Sequence, residues 1–306
     1  DGSDDGGQYY YDLALAVSPI DSNEVHVGAV NHWISHDGGI NFTCPSAWSH
    51  SYKVNYVHAD IHDINFFGND LWMACDGGIF YSATSGDTID RKMLGIAGSD
   101  FWGFATGWWD GTQVMVGGAY HNGTLLKDNN VYTNGWVCMN GGDGTLGSVN
   151  YGNDRLIYTE WGQHKLSGNR MVNKTNMPMS LLPSSSYIVG EDGELEFDPN
   201  TYNGLYIAHD SAIWYSKDNG ANFNLVHAFS NGKVTSLEIA SDRKTIYAAV
   251  YPSWWGAKKL YVSQDTGSTW IDITPSSATM NAQLWAPFDM AVGDNPNEIW
   301  LVRTPQ

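Results

Sequence analysis

A short turn motif recurs along this chain and constrains its fold more than any other feature. The template Ser-x-Asp-x-Gly-x-x-aromatic is matched at residues 35–42, 216–223 and 263–270. In this pattern the Asp side chain accepts hydrogen bonds from backbone N–H groups further round a turn, the Gly supplies a positive φ, and the aromatic ring packs back onto a sheet. Each copy therefore predicts the turn of a β-hairpin. The residues to which we assign this structural role are Ser35, Asp37, Gly39, Ser216, Asp218, Gly220, Ser263, Asp265 and Gly267.

The spacing of the motif indicates the architecture. A degenerate copy, which lacks the Asp and the aromatic, begins at Ser82, so the copies at 35 and 82 and those at 216 and 263 are both 47 residues apart. A period of about 40–50 residues with four short strands per unit is typical of a β-propeller. A second repeat runs in phase with the first, and its seven copies, each an apolar strand, a turn and another apolar strand, lie at residues 13–30, 64–75, 104–118, 148–161, 195–210, 237–250 and 290–303.

The sequence therefore predicts an all-β fold, a β-propeller with seven blade units of which the seventh is incomplete. No stretch shows a convincing helical periodicity. The seventh unit is cut after its second strand, so we expect the chain to be a fragment of a longer one. The alternative is that the N-terminal residues supply the missing strand. We expect a single propeller domain over residues 1–306, with blades that start near residues 11, 57, 100, 145, 194, 234 and 284.

Composition narrows the range of partners. The formal net charge is −18 and the isoelectric point is near 4.6, and no basic stripe is present, so we expect no nucleic-acid partner. No apolar run approaches 18 residues, so we expect no membrane insertion. Three cysteines cannot all pair, which excludes a disulfide framework. The acidity is compatible with an extracellular location and with cation binding.

The segment 57–63 contains the pattern His58, Asp60, His62. On a β-strand, residues two apart face the same way, so two imidazoles and a carboxylate would share one face. These groups form a plausible ligand set for a divalent cation, the one cofactor that the sequence suggests. The alternative is a polar strand that lines a wet channel, with both histidines held by hydrogen bonds.

Three aspartates fall at one position when the first strands of the blades are aligned: Asp12, Asp63 and Asp289. They belong to blades one, two and seven, in that order, and these blades adjoin if a ring closes. We expect the carboxylates to cluster at a channel mouth, where they would bind a cation or supply an acid and a base about 6.5–9.5 Å apart, as in an inverting glycosidase. The alternative is an Asp that holds the turn at the start of each strand.

Further candidates for ligand binding lie at the ends of strands. Two tryptophan pairs flank turns, and exposed tryptophans can stack on sugar rings, although structural packing is the alternative for both pairs. Two acidic residues near Gly-rich turns complete the set. The ligand-binding candidates are Trp108, Trp109, Trp254, Trp255, Asp143 and Glu160.

The chain resembles a known group of proteins through residues 11–39, 57–63 and 74–82, with 117–124 and 141–144 in support. It is similar to secreted Asp-box (BNR-repeat), sialidase-like β-propellers of Bacteroidota-type bacteria, within a glycosyl-hydrolase-like and sortilin-like superfamily. The resemblance covers the first half well and the second half only through the generic repeat. It implies that each Asp box joins the third and fourth strands of a blade, and it implies a secreted or cell-surface location.

The resemblance does not extend to sialidase activity. Sialidases use three arginines that project into the channel, whereas Arg91, Arg155 and Arg243 each directly follow an Asp in a blade turn. We therefore expect a non-catalytic, secreted or cell-surface module that binds a glycan or an extracellular protein, as an adhesin or scaffold does. The alternative is a glycoside hydrolase that acts on a polysaccharide through carboxylates at the channel mouth.

Overall fold

The structure, a computed structural model, describes residues 8–96, 98–107, 114–133, 135–160, 162–167, 170–175, 193–252, 258–276 and 288–303. The chain divides into two compact units, Asp1–Ser99 and Asp100–Gln306, and each is considered by itself. The regular elements of the described residues are all β-strands. Within these ranges there is consequently no helix of the length and apolarity needed to cross a membrane.

The first unit contains two four-stranded antiparallel sheets, each with its strands in chain order. The first sheet consists of β1 (Ala14–Val17), β2 (Val25–Gly28), β3 (His32–Ser35) and β4 (Thr43–Ser46). The second sheet consists of β5 (Ile61–Phe67), β6 (Asp70–Cys75), β7 (Gly78–Ser82) and β8 (Asp90–Arg91). Strands β1, β5, β6 and β7 share one apolar core, in which Ile61, Leu71 and Met73 are buried.

The second unit continues the pattern with four four-stranded sheets and one two-stranded sheet. The third sheet comprises β9 (Gly103–Thr106), β10 (Met115–Ala119), β11 (Gly123–Lys127) and β12 (Val137–Asn140). The fourth comprises β13 (Ser148–Val149), β14 (Leu156–Thr159), β15 (Gly162–Ser167) and β16 (Arg170–Thr175). The fifth comprises β17 (Gly193–Phe197), β18 (Leu205–His209), β19 (Ala212–Ser216) and β20 (Asn224–Ala228). The sixth comprises β21 (Lys233–Ile239), β22 (Ile246–Tyr251), β23 (Lys259–Ser263) and β24 (Ile271–Asp272), and the seventh β25 (Phe288–Val292) and β26 (Ile299–Arg303).

This succession confirms the predicted fold class, an all-β propeller with seven blade units of which the seventh is incomplete. Among the described residues, the seventh sheet has two strands where the other six have four. The first strands begin at residues 14, 61, 103, 148, 193, 233 and 288. Whether residues 1–306 form one domain stays a prediction. The cysteines Cys44, Cys75 and Cys138 are all free.

The second strand of the sixth sheet, β22, is buried on both faces. In β22, Ile246, Ala248 and Val250 pack with side chains of the fifth sheet, whereas Tyr247 and Ala249 pack with Met290 of the seventh. Because successive side chains of a strand point to opposite faces, this strand must be apolar at every position, and its six residues IYAAVY satisfy that demand.

The Asp-box turns join the third and fourth strands of the first, fifth and sixth sheets. In the turn of the sixth sheet, Asp265 Oδ1 accepts hydrogen bonds from Ser263 Oγ and from the backbone N–H of Thr269, both at 2.8 Å. Ser263 Oγ in turn accepts from the backbone N–H of Gly267 at 2.8 Å, and Gly267 has a φ of 87°. The turns at Asp37 and Asp218 repeat these bonds.

The degenerate copy at Ser82 forms the same turn with other atoms. Ser82 Oγ accepts from the backbone N–H of Gly86 at 2.9 Å, as in the complete boxes. Thr84 takes the place of the Asp, and its Oγ1 accepts from the backbone N–H of Thr88 at 2.9 Å. A hydroxyl therefore replaces the carboxylate. The turn is kept at the same spacing, although the sequence at Ser82 no longer matches the full motif.

The charge of Asp265 should stabilise the fold in a pH-dependent manner. Hydrogen bonds from Thr269 and Ser263 lower the pKa of Asp265 from 3.8 to about 2. Stability from this group is present above the unfolded pKa and is lost as the pH falls towards about 2. We expect Asp265→Asn to reduce the dependence of the free energy of unfolding on pH between about 4 and 2. Urea denaturation at several pH values measures this dependence, with Asp87→Asn at an exposed site as the control. The prediction is contradicted if the pH dependence of Asp265→Asn equals that of the wild type, or if Asp87→Asn changes it by the same amount.

Candidate functional site

Carboxylates gather on the first strands of the last three sheets. Glu194 and Glu196 lie two residues apart on β17, Glu238 lies on β21 and Asp289 on β25. The carboxylate of Glu194 accepts a hydrogen bond from the backbone N–H of Leu237 on β21. Glu238 repeats the arrangement one sheet further on, because its carboxylate accepts from the backbone N–H of Val292 on β25. These four residues are called the carboxylate cluster below.

Burial and mutual repulsion favour the protonated form of three of these groups. Burial, followed by the charges of Asp289 and Glu238, raises the pKa of Glu194 to about 8, although the Leu237 N–H opposes the shift. Burial and the charges of Glu194, Glu238 and Asp289 raise the pKa of Glu196 well above its ordinary value. Burial and the charge of Asp289 raise the pKa of Glu238 to about 7. Such values are typical of functional sites, and also of structural carboxyl networks.

A cavity of about 550 Å³ in the second unit is lined by Glu194 and Glu196. Its volume falls within the range of about 300–1,000 Å³ that small-molecule sites occupy. The lining also includes strand β9, residues 145–149, Tyr151 and Phe197. Carboxyl groups that can donate and accept hydrogen bonds therefore share one concave space with aromatic residues.

Three aromatic rings that line this cavity are exposed. Trp102, Phe104 and Tyr151 retain 56%, 49% and 47% of their accessible surface. Trp102 is held by a stack on Tyr120 with ring centroids 4.4 Å apart, and Tyr151 packs against Phe197 at 4.8 Å. Supported, exposed rings of this kind offer flat apolar faces to a ligand at a low entropic cost.

The wall formed by residues 144–147 depends on close backbone packing against β10. A Cβ atom on Gly118 would lie 2.6 Å from backbone atoms of Gly144, Thr145 and Leu146, and a Cβ on Gly147 would lie 2.4 Å from the carbonyl oxygen of Val116. Glycine is therefore required where the wall of the cavity meets the sheet.

Glu160 is not a ligand-binding residue, contrary to the prediction from sequence. Its side chain is fully buried. Its carboxylate accepts a hydrogen bond from Thr124 Oγ1 at 2.7 Å and from the backbone N–H groups of Thr145 and Leu146 at 3.4 Å. A buried carboxylate needs such donors, so Glu160 fixes the wall of the cavity rather than a ligand. Asp143, the other acidic candidate, lies 3.7 Å from His121 Nε2 and is outside the described cavity lining.

The predicted metal set His58, Asp60 and His62 does not share one strand face. Strand β5 begins at Ile61, and Asp60 has a positive φ of 63°, which breaks the alternation on which the prediction depended. His58 Nδ1 lies 3.3 Å from the carbonyl oxygen of Ala59, whereas His62 Nε2 lies 2.7 Å from Asp76 Oδ1. The prediction that these three side chains share one strand face is therefore wrong.

The aspartates Asp12 and Asp63 do not occupy equivalent positions either. A β-bulge between Ile61 and Asp63 leaves two consecutive exposed residues, His62 and Asp63, on β5. Asp12 is instead fully buried and precedes β1. Asp289 is exposed and belongs to the carboxylate cluster of the second unit, and its relation to the two aspartates of the first unit stays a prediction.

The sequence interpretation missed Glu194, Glu196, Glu238, Trp102 and Tyr151. A signal was present in β17, where Gly193–Phe197 alternates two glutamates with two apolar residues and so places both carboxyl groups on one face. The four predicted tryptophans, Trp108, Trp109, Trp254 and Trp255, lie outside the described residues.

The chain matches no protein-family model, and no curated protein matches it. Among solved structures it is similar to the extracellular domain of BT4673 from B. thetaiotaomicron, with 15% identity, a TM-score of 0.47, and coverage of 97% of this chain and 38% of that one. It is also similar to YCF48 bound to D1 peptide, with 15% identity, a TM-score of 0.40, and coverage of 94% and 89%. It is also similar to an ancestral GH74 enzyme, with 10% identity, a TM-score of 0.31, and coverage of 85% of this chain and 30% of that one. These TM-scores are all below 0.5.

Loss of the proton from Glu194 should make the fold less stable as the pH rises. Its pKa is about 8 in the folded protein and 4.5 ordinarily, so the folded state holds the proton more tightly and loses stability between about pH 4.5 and 8. We expect Glu194→Gln to flatten the decline of the free energy of unfolding over this range. Chemical denaturation at pH 5 and pH 8 measures the difference, with exposed Glu298→Gln as the control; a decline as steep as in the wild type would refute the assignment.

Close packing at Gly118 should make an added methyl group costly. We expect Gly118→Ala to lower the free energy of unfolding by about 1–3 kcal/mol, because the Cβ meets backbone atoms that cannot rotate away. Urea denaturation measures the loss. The matched control is Gly141→Ala, since a Cβ there has no neighbour within 4 Å. Equal effects of the two changes would contradict the proposed packing.

Proposed function

We propose that the chain is a non-catalytic module of a secreted or cell-surface protein and that it binds a glycan in the cavity of the second unit. The observation that carries this proposal is the meeting of exposed rings and carboxyl groups in one cavity. Trp102, Phe104 and Tyr151 offer apolar faces, and Glu194 and Glu196 offer hydrogen-bonding groups. This combination suits a sugar, which has an apolar ring face and a rim of hydroxyl groups.

The protonation state of the carboxyl groups favours an uncharged glycan. The pKa of Glu194, about 8, keeps this group largely protonated at neutral pH, and the pKa of Glu196 is raised in the same direction by burial and by the charge of Glu194. A protonated carboxyl group donates one hydrogen bond and accepts others, as sugar hydroxyls require. A protein partner is the other occupant expected from the sequence. The glycan is favoured because the exposed rings line a concave space of small-molecule size.

A second candidate function is glycoside hydrolysis, and the same raised pKa values favour it. A glycosidase needs one carboxyl group that stays protonated at its working pH and a second that is ionised. Glu194 or Glu196 would supply the acid, and the exposed Asp289 would supply the base. This assignment replaces the acid–base pair that the sequence suggested among Asp12, Asp63 and Asp289.

One experiment separates the two functions. We expect neutral polysaccharides on a glycan array to bind the chain without the release of reducing ends, and we expect Trp102→Ala to weaken binding at least about tenfold. Trp300→Ala is the matched control, because Trp300 is 62% exposed and does not line the cavity. Release of reducing ends that Glu194→Gln or Asp289→Asn abolishes would establish the hydrolase instead. Failure to bind any glycan would refute both.

A further inference from the structure

Two buried histidines of the first unit lie where its two sheets meet. The rings of His26 on β2 and His32 on β3 are nearly parallel, with centroids 5.1 Å apart. The second sheet also contacts them. The ring of Phe66 on β5 packs edge-on against His26 with centroids 5.4 Å apart, and a Cβ atom on Gly86 would lie 3.1 Å from His32 Cε1. We call His26 and His32 the histidine pair, and the function proposed above does not use it.

The two sheets approach each other closely beside the histidine pair. Gly28 lies two residues after His26 on β2, and a Cβ atom on it would lie 2.6 Å from Ile61 Cγ2 on β5. The backbone N–H of Ile61 donates a hydrogen bond to the carbonyl oxygen of Ala29 at 3.0 Å. A contact of this closeness leaves no space for a water shell around a charged imidazole unless the sheets separate.

Hydrogen bonds determine where the pair carries its protons. His26 Nε2 lies 3.0 Å from Glu24 Oε1, so this nitrogen carries a hydrogen and donates it to the carboxylate. His26 Nδ1 is then a lone pair, and it accepts a hydrogen bond from His32 Nε2 at 2.9 Å. The remaining nitrogen, His32 Nδ1, is buried and has no hydrogen-bond partner among the described residues. Both rings are therefore neutral, and a further proton would bind at His32 Nδ1, where no acceptor faces it.

The charged groups around the pair do little to stabilise a second proton. Glu24 already accepts the hydrogen bond of His26, and the charge of His36, in the turn after β3, repels a positive charge on His26. The strand β4 places Ser46 opposite His32. The other titratable groups of β4, β5 and the turn at Gly86 are the half-buried Cys44 and the exposed His62, Asp63 and Asp87.

Burial makes both histidines weak bases in the folded protein. It lowers the pKa of His32 from 6.5 to about 3, and the charge of His26 acts in the same direction. Burial also lowers the pKa of His26, although the hydrogen bond and the charge of Glu24 oppose this shift. The unfolded chain therefore binds these protons more tightly than the folded chain. The stability that the neutral pair provides is present above about pH 6.5 and is lost as the pH falls from there towards about 3.

We propose that the histidine pair is an acid-sensitive contact, and that proton uptake by the pair separates the first sheet from the second. At neutral pH the uncharged rings pack against Phe66 and the turn at Gly86. A charged ring requires water, and water reaches it only when these two neighbours move away. The apolar core that the two sheets share opens at the same time. Cys75, which packs against that core, then becomes accessible to reagents.

The test is the rate at which a pyridyl disulfide reagent labels Cys75 in the full chain at several pH values. Burial raises the pKa of this thiol to about 12, so the closed protein reacts slowly. Each rate is divided by that of an unfolded peptide containing Cys75 at the same pH, which removes the pH dependence of the reagent. We expect the relative rate to rise at least about tenfold between about pH 6.5 and 4.5, because opening is coupled to proton uptake. The exposed Cys138 of the second unit should show no such rise.

Variants of the pair separate its titration from that of other groups. His32→Gln keeps an N–H that can donate to His26 Nδ1 but takes up no proton, and we expect it to make the rise at least about threefold smaller. His26→Gln serves the same purpose if His32→Gln does not fold. The matched control is His36→Gln, which removes an exposed histidine next to the same sheet and should follow the wild type.

Three results would overturn the proposal. The first is a wild-type rate for Cys75 that does not rise in acid, which needs no variant to be decisive. The second is a rise in His32→Gln or His26→Gln as large as that of the wild type. The third is a rise that His36→Gln removes, since the proton that opens the contact would then bind outside the histidine pair.

Discussion

The burial of the second strands of the fifth and sixth sheets, β18 and β22, between neighbouring sheets is the constraint on which the rest of the second unit depends. In β18, Leu205 and Ile207 pack with Tyr158 of the fourth sheet, whereas Tyr206 and Ala208 pack with the sixth. Such a strand has no face left for a polar side chain, because each face is covered by another sheet. The first strands keep positions that are not fully buried, and Glu194, Glu196 and Glu238 of the carboxylate cluster lie at such positions.

The Asp-box turns were predictable because their physics is local. Every donor to Asp218, namely Ser216 and the backbone and side chain of Asn222, lies within four residues of it. A motif of eight letters therefore contains the whole interaction. The repeat of two apolar strands joined by a turn was predictable for a similar reason. Strand β22 is buried on both faces, and this burial requires an unbroken apolar run that is visible in the sequence.

The candidate sites depend on contacts that are remote in sequence, and most of these could not be predicted. The partner of Glu194 is the backbone N–H of Leu237, 43 residues away, and the hydroxyl donor to Glu160 is Thr124, 36 residues away. A glutamate that lines a cavity and one that is fully buried look alike in sequence. The positive φ of Asp60 and the bulge at Asp63 each add a local irregularity, and an argument from strict strand alternation fails at such a point.

The first strands can hold polar and charged side chains because only some of their positions are buried against other sheets. Strand β9 alternates partly buried and exposed residues, whereas β18 is buried throughout. The carboxyl groups placed there also hold the sheets together, since Glu194 accepts from the backbone of β21 and Glu238 from that of β25. Ionisation of these groups at high pH strengthens the two hydrogen bonds, yet it also sets partly buried negative charges against one another. The raised pKa values indicate that repulsion and desolvation outweigh the hydrogen bonds. Proton loss should therefore loosen the contact between the sheets at the same place where a ligand would bind, so that ligand affinity and the cohesion of the last three sheets depend on the same protons.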